Sequence, residues 1–210
     1  MNVKQAIETV GSLSEPSKMP GYAYGIPAQD CILGQVLRKR PGSVCHKCYA
    51  LKGMYSFPVV KNAQRKRLTS LQNNLPAWTE AMTFLIGYKL AKREKVFRWH
   101  DSGDIQSMEH LSAIVQIAKN LPEVRFWLPT RERAMVREWL RQNGSFPDNL
   151  TVRVSATMIG QDAAPVPGTV ASTVGAGIGY ACPAYSQGGR CGDCRACWDK
   201  NVISVDYRQH

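Results

Sequence analysis

Three cysteines stand close together near the C-terminus, in the string GGRCGDCRACWD at 188–199. With Cys182 upstream, Cys191, Cys194 and Cys197 complete the pattern C-x8-C-x2-C-x2-C. Two-residue gaps let successive thiolates turn toward one centre, and the neighbouring glycines permit the tight backbone path that this requires. The pattern favours a [4Fe–4S] cluster, because structural zinc sites usually pair two separated C-x2-C hairpins. Zinc is the alternative metal.

A second close pair, Cys45 and Cys48, lies in SVCHKCYALKG, and Cys31 precedes this pair. Two arrangements fit the spacing. Either the tail holds a complete four-cysteine site while the other three cysteines hold a site with one open coordination position, or one cluster draws ligands from both ends of the chain. All seven cysteines are therefore candidate metal ligands. The candidate ligands of the [4Fe–4S] cluster are Cys45, Cys48, Cys182, Cys191, Cys194 and Cys197, and Cys31 is a further candidate metal ligand.

The cellular compartment decides how these cysteines are interpreted. The N-terminus lacks the basic-then-apolar pattern of a secretory signal, and no run of residues is long and apolar enough for a membrane span. We therefore expect a soluble, cytoplasmic protein. Because thiols stay reduced there, closely spaced cysteines indicate metal ligands rather than disulfides.

The elements that must position these residues follow from the hydrophobic periodicity. Helical patterns begin at Pro58 and after Pro76, and further helices are expected at 105–120 and 132–144. Strands are expected at 95–99, 124–128, 150–156 and 168–174. Strands separated by helices predict an α/β fold with a mainly parallel sheet and helical crossovers, either open or a partial barrel. We expect one domain, in which the cysteine-bearing segments 1–57 and 175–210 pack on an α/β core at 58–174.

Parallel sheets place their chemistry beyond the carboxyl ends of the strands. The strings HDSGD (100–104), PTRE (129–132) and SATMIGQD (155–162) follow the predicted strands, so their polar residues would face one rim. His100 and Asp101 offer an acid/base pair or two metal ligands, and Arg131 could bind a phosphate or a carboxylate. Asp104 completes the set of candidate catalytic residues. The alternative is that Ser102 or Asp104 caps the helix that begins near residue 105.

The chain is strongly basic, with 27 Lys and Arg against 16 Asp and Glu and a net charge of +11. Basic residues cluster at 37–42, 61–67, 89–95 and 131–141. This charge predicts a polyanionic partner, with DNA ahead of RNA, and no membrane partner, because no segment pairs the charge with a lipid-facing apolar stripe. The glycine-rich string GAGIG (175–179) is read as a flexible loop, since no helix follows it.

Five strings in order resemble the gene product 88 family of bacteriophages and mobile elements. They are SKMPGYAYGIPAQDC, PGSVCHKCYALKG, RWHDSGDIQS, FWLPTRE and CGDCRACWD. The resemblance implies a phage or mobile-element protein in the host cytoplasm, and it implies no particular activity. More distantly, C-x2-C-Y-A ahead of alternating strands and helices is similar to phage proteins related to radical SAM enzymes. Those enzymes use C-x3-C-x2-C, whereas here Cys31 lies well before Cys45 and Cys48.

Three functions fit these observations. The first is a phage-type iron–sulfur protein that binds nucleic acid and cleaves or modifies it. The second is a non-catalytic iron–sulfur module that binds nucleic acid. The third is a radical SAM-like enzyme in which Cys31, Cys45 and Cys48 leave one iron open. The sequence does not determine the oligomeric state.

Overall fold

The computed structural model describes residues 1–163 and 165–209, in which seven strands form one open sheet. All neighbouring strands are parallel, in the order β1-β2-β3-β4-β5-β7-β6. The strands are β1 Tyr22–Tyr24, β2 Val96–Trp99, β3 Arg125–Thr130, β4 Leu150–Ser155, β5 Val170–Val174, β6 Tyr180–Ala181 and β7 Ser204–Tyr207. The α/β class and the mainly parallel sheet are thus confirmed.

Helices connect the first four strands, as the periodicity predicts. The helices are α1 Val3–Val10, α2 Ile32–Leu37, α3 Pro58–Asn73, α4 Leu75–Leu90, α5 Met108–Asn120 and α6 Arg133–Asn143. Proline stands in the first turn of both α3 and α4, where its missing N–H costs no hydrogen bond. None of the described helices combines the length and the hydrophobicity needed to cross a bilayer.

The two faces of the sheet are covered differently. Because side chains alternate along a strand, Phe97 and Trp99 of β2 join the large core formed with the helices, whereas Val96 packs with Trp127 and Trp198 on the other face. A short 3-10 turn, Ala196–Trp198, lies against β3 and β4 on that second face. The C-terminal cysteine segment therefore covers the face of the sheet that the helices leave open.

Three parts of the structure differ from the sequence expectations. The strands β1, β6 and β7 lie outside the predicted strands, and they extend the sheet at both edges. The helix expected from residue 105 begins at Met108 and is capped by the Ser107 side chain, which accepts from the His110 amide. Ser102 and Asp104 therefore do not cap it, because the chain between them and Ser107 is still part of the loop that follows β2.

Candidate active site

A cavity of about 1130 Å³ opens at the carboxyl ends of the strands, and we call it the chamber. Its walls combine the loops after β2, β3 and β4 with the end of β7 and with two N-terminal stretches at 14–19 and 42–50. The four residues of the predicted rim, His100, Asp101, Asp104 and Arg131, all line the chamber. Parallel strands ending at one edge of the sheet bring these residues together.

Cys31, Cys45 and Cys48 also line the chamber, and we call them the chamber cysteines. Cys31 stands at the start of α2, whose Leu33 amide donates to the Glu132 carboxylate at 2.9 Å. Glu132 lies two residues after the end of β3, so the sheet itself fixes the helix whose N-cap is Cys31. The loop before Cys45 is tied down in the same way, because the Val44 amide donates to the Thr157 carbonyl after β4 at 3.0 Å.

The electrostatics show that the chamber cysteines are neighbours. Burial raises the pKa of the Cys31 thiol, and Asp104, Cys48 and Cys45 raise it further. Burial also raises the pKa of Cys45, which Arg131 lowers and Cys48 raises. The positive charge of Arg131 therefore favours the thiolate form of Cys31 and Cys45, two of the three chamber cysteines.

The other four cysteines form a second group, the tail cysteines Cys182, Cys191, Cys194 and Cys197. Burial raises the pKa of Cys191, and Cys182 and Cys194 raise it further. Burial raises the pKa of Cys197 to about 11, with Cys182 among the contributing neighbours. The cysteines that perturb one another thus fall into two sets, one at each end of the chain.

These groupings do not establish a bound metal. Among residues 1–163 and 165–209, no set of three or more His, Cys, Asp and Glu side chains is arranged to hold a single metal ion. The iron–sulfur cluster therefore stays a prediction.

His100 lies in the floor of the chamber and is almost fully buried. Its backbone has φ +52°, a left-handed conformation that is rare outside glycine. Burial lowers its pKa well below the ordinary value, and His110, whose ring centroid lies 5.4 Å away, lowers it further. Neither ring nitrogen has a hydrogen-bond partner in the described structure, so a neutral imidazole is available to a ligand.

Two tyrosine hydroxyl groups contact Asp101. The hydroxyl groups of Tyr49 and Tyr55 donate to its carbonyl oxygen at 2.6 and 3.4 Å. The Oδ1 atom is buried and has no partner in the described residues, while Oδ2 lies 3.4 Å from the Tyr55 hydroxyl. The carboxylate therefore keeps one buried oxygen without a partner among the described residues.

Asp104 has a different environment, because both of its carboxylate oxygens are used. Oδ1 accepts from the Thr130 hydroxyl at 2.6 Å and from the Ile105 amide at 2.8 Å, and Oδ2 accepts from the Arg131 amide at 2.9 Å. Burial raises its pKa, which these hydrogen bonds oppose. Asp104 thus joins the loop after β2 to the end of β3 and positions Arg131, whose Nε donates to the Ala156 carbonyl at 3.1 Å.

Two arginines that the sequence analysis did not single out, the fully buried Arg153 and the partly buried Arg98, organise the second face. Arg153 of β4 donates to five backbone carbonyls, four of which, at 196, 197, 199 and 202, belong to residues 175–210, which we call the tail segment. Arg98 of β2 lines the chamber, stacks 4.5 Å above the Trp127 ring and lowers the pKa of both Cys191 and Cys197. A charged residue inside an otherwise apolar strand was the signal that could have identified both.

The glycine-rich loop at 175–179 does bind an anion, but that anion belongs to the protein. The Asp206 carboxylate accepts from the Ala176 and Gly177 amides and from the Thr173 hydroxyl. Burial alone would raise the pKa of Asp206, but these hydrogen bonds outweigh it and lower the pKa. The loop is therefore occupied by an internal carboxylate.

The sequence comparisons were made against families, curated proteins and solved structures. The model of the family described as "Gene product 88" matches residues 2–200, which is nearly the whole chain. No curated protein and no solved structure matches the chain significantly.

Proposed function

The chain belongs to the gene product 88 family, and we propose that it is an iron–sulfur enzyme of phage or mobile-element origin whose [4Fe–4S] cluster is held by the chamber cysteines. The observation that carries this proposal is that Cys31, Cys45 and Cys48 line the same chamber as the polar rim of a parallel sheet. A [4Fe–4S] cluster that is held by three thiolates has one iron with an open coordination position. When bound, such a cluster supplies single electrons to a ligand at that iron.

The chemistry of these donors, rather than their spacing in the structure, supports this group. All three chamber cysteines are free thiols, and soft thiolate ligands select iron–sulfur clusters, with zinc as the competing metal. Arg131 favours the thiolate form at two of them, so the chain supplies positive charge where an anionic cluster would sit. The long sequence gap before Cys45 separates this chain from the C-x3-C-x2-C pattern of radical SAM enzymes. Cys31 nevertheless lines the same chamber as the pair, and Cys45 and Cys48 both raise the pKa of its thiol, which supports a SAM-type reaction.

The remaining residues of the chamber give it the properties of a reaction site. Its volume of about 1130 Å³ exceeds the ~300–1,000 Å³ typical of small-molecule pockets, so a cofactor and part of a substrate fit together. Arg131 presents a guanidinium group suited to a carboxylate or phosphate. His100 stays neutral because it is buried, and it can accept or donate a proton through a free ring nitrogen.

Reductive cleavage of SAM tests this proposal. The anaerobically reconstituted and reduced protein should convert SAM to methionine and 5′-deoxyadenosine. The reductant supplies one electron for the cleavage, and the hydrogen atom that completes 5′-deoxyadenosine comes from the substrate or, without substrate, from a second electron of the reductant and a proton of the solvent. The double variant Cys45→Ser/Cys48→Ser should lose this activity. A matched variant, Cys194→Ser, removes a thiol outside the chamber and should keep it. Absence of both products from the iron-loaded wild-type protein would exclude SAM as the co-substrate.

Nucleic acid is the substrate class that we propose for this enzyme. Lys18, Lys47 and Arg208 line the chamber, which adds positive charge at its walls to the net charge of +11. A non-catalytic nucleic-acid-binding module is the second candidate, favoured by the same charges. The variants His100→Ala and Asp101→Ala separate the two candidates. They should abolish turnover and leave nucleic-acid affinity unchanged in an enzyme, whereas a module shows no turnover to lose.

A further inference from the structure

We infer that Arg98 binds an oxyanionic group, a phosphate or a carboxylate, of the molecule that occupies the chamber. Arg98 lies on β2 and lines the chamber, as does Trp127, its neighbour on β3. This site goes beyond the proposed function, because it needs neither a bound cluster nor a particular reaction. It also differs from Arg131, whose Nε atom already donates to a backbone carbonyl of the protein.

The guanidinium group of Arg98 has few of the partners that a partly buried charge needs. Its Nε atom is buried and has no hydrogen-bond partner among the described residues. The Nη2 atom lies 3.4 Å from the Tyr49 hydroxyl, and the Nη1 atom lies 4.0 Å from the Met19 sulfur. The first contact is longer than an ordinary hydrogen bond, and a thioether is a weak acceptor. Because an arginine carries five N–H donors in a fixed fork, most of the donors of Arg98 stay unused.

The positive charge of Arg98 also lacks a carboxylate partner. None of the ion pairs between the residues that the structure describes includes Arg98. The Asp101 carboxylate acts on Arg98 through its charge, but it forms no ion pair with the guanidinium group. A charge that leaves water costs free energy unless a counter-charge and hydrogen bonds replace the water. An anionic ligand in the chamber would supply both.

The buried arginines Arg67 and Arg153 show what a guanidinium group with a structural role looks like in this fold. Arg153 donates to five backbone carbonyls, and Arg67 donates to three backbone carbonyls and to the Ser14 hydroxyl. Each of them joins distant segments of the chain through these bonds. Arg98 donates to no backbone carbonyl in the described part of the chain. Its donors are therefore not used to hold the fold together.

Trp127 orients the guanidinium group and adds a further donor. The Arg98 Cζ atom lies over the Trp127 ring, 4.5 Å from its centroid. Contact with an aromatic face leaves the N–H donors at the edge of a guanidinium group free for a bidentate acceptor. The Trp127 Nε1 atom is itself buried and has no partner among the described residues, and an indole N–H can only donate. Two neighbouring residues of the wall thus carry unpartnered donors, which a phosphate or a carboxylate, both acceptors, would satisfy.

The charges along the chamber favour an anion as its occupant. The lining contains five Lys and Arg side chains against three Asp and Glu side chains. Of the three carboxylates, Glu15 pairs with Arg93, and both oxygens of Asp104 accept hydrogen bonds from the protein. Asp101 is the remaining one. The chamber therefore has an excess of positive charge, which attracts an anionic ligand toward Arg98.

Three ligands that differ only at the 5′ carbon test the inference: adenosine, adenosine 5′-monophosphate and adenosine 5′-carboxylate. Their affinities for the full-length protein are measured by isothermal titration calorimetry. At least one of the two anions should bind about 10-fold more tightly than adenosine, which is a typical gain from hydrogen bonds to a charged group. The anion that gains more identifies the group that the site prefers.

Arg98→Gln should abolish this preference and leave the affinity for adenosine unchanged. Arg125→Gln is the matched control, because Arg125 lies on β3, is half-exposed and pairs with Glu94. It should keep the preference. The inference is overturned if neither anion binds more tightly than adenosine, or if Arg98→Gln retains the preference.

The stability of Arg98→Met covers the case in which Arg98→Gln does not fold. Methionine replaces an unpaired charge by an apolar side chain, so the urea midpoint should stay at the wild-type value or rise. The preferred anion should raise the midpoint of the wild-type protein and not that of Arg98→Met. A midpoint lowered as far as that of Arg153→Met would show that Arg98 has a structural role, and it would overturn the inference.

The outcome of these measurements is independent of the proposed function. If Arg98→Gln loses the preference for an anion while the iron-loaded wild-type protein does not cleave SAM, the Arg98 site stands and the proposed reaction fails. If SAM is cleaved and no preference for an anion exists, the proposed function stands and the Arg98 site fails.

Discussion

A Cβ atom on Gly25 would stand 2.1 Å from the Oδ1 atom of Asp101, so the backbone after β1 lies directly against this carboxylate. The same Oδ1 atom is the buried oxygen that has no partner in the described residues. The close approach fixes Asp101 at the chamber wall. Only a glycine at position 25 leaves room for the Asp101 carboxylate.

Gly25→Ala should therefore displace Asp101 and reduce turnover in the chamber by about 100-fold, as displacements near 1 Å commonly do. The rate of 5′-deoxyadenosine formation measures the effect. Gly87→Ala is the matched control, because a Cβ there would meet only the Leu121 side chain, at 3.3 Å, within the helical layer. It should keep the wild-type rate. A Gly25→Ala enzyme with full activity would show that Asp101 has no role in the reaction.

Binding to a DNA duplex should weaken steeply as salt is added, because neutralised phosphates release counterions. Fluorescence anisotropy across a salt series measures the slope of affinity against salt. Lys18→Gln and Lys47→Gln should each reduce that slope by about 1 if these chamber lysines contact phosphates. Lys200→Gln is the control, because Lys200 already pairs with Asp148. Absent or salt-insensitive binding would remove nucleic acid as the partner.

Arg153→Met should lower the free energy of unfolding by at least about 3 kcal/mol, because five backbone carbonyls lose their donor in a buried position. Urea denaturation followed by circular dichroism provides the measurement. Arg125→Met removes a half-exposed ion pair with Glu94 and should cost less than about 1 kcal/mol. Equal stabilities of the two variants would mean that Arg153 does not hold the tail segment.

Stability should fall as the pH drops from about 6.5 toward 3. Burial lowers the pKa of His110 from 6.5 to about 3, so in this window the unfolded chain takes up a proton that the folded chain does not. Above pH 6.5 this ring does not reduce the free energy of unfolding. Between pH 6.5 and 3 the free energy of unfolding falls by at most roughly 5 kcal/mol because of it. Urea midpoints measured across this range test it.

His110→Phe should make the stability less dependent on pH, since it replaces the buried imidazole by an apolar ring of similar size. His46→Gln, which changes an exposed ring, should leave the dependence as it is in the wild-type protein. An unchanged pH profile in His110→Phe would show that this ring is not the source of the effect.

The long elements of the fold could be predicted from the sequence, and the short ones could not. Helices α3 and α4 span four turns and begin near prolines, so their periodicity and their starts are both visible. The strand β1 is three residues long, all of them buried, and so shows no alternation to recognise. The N-cap residue of helix α2 is Cys31, which makes no side-chain capping hydrogen bond, so the usual signal of a helix start is missing.

For the candidate site, spacing identified the cysteines, but only the fold divides them into groups. Cys31 reaches the chamber because Glu132 holds α2 through the Leu33 amide, a contact between distant parts of the chain. Asp104 looked like a helix cap, and its real partners lie at the end of β3. Such contacts depend on which strands are neighbours, and local patterns do not encode that.

The metal content of the protein, purified without oxygen, tests the central claim most directly. Iron, acid-labile sulfide and zinc should be measured together with the visible absorption spectrum. The account predicts a brown protein that contains iron and sulfide in equal amounts and little zinc. A colourless protein that contains only zinc, or no metal after anaerobic reconstitution, would contradict it.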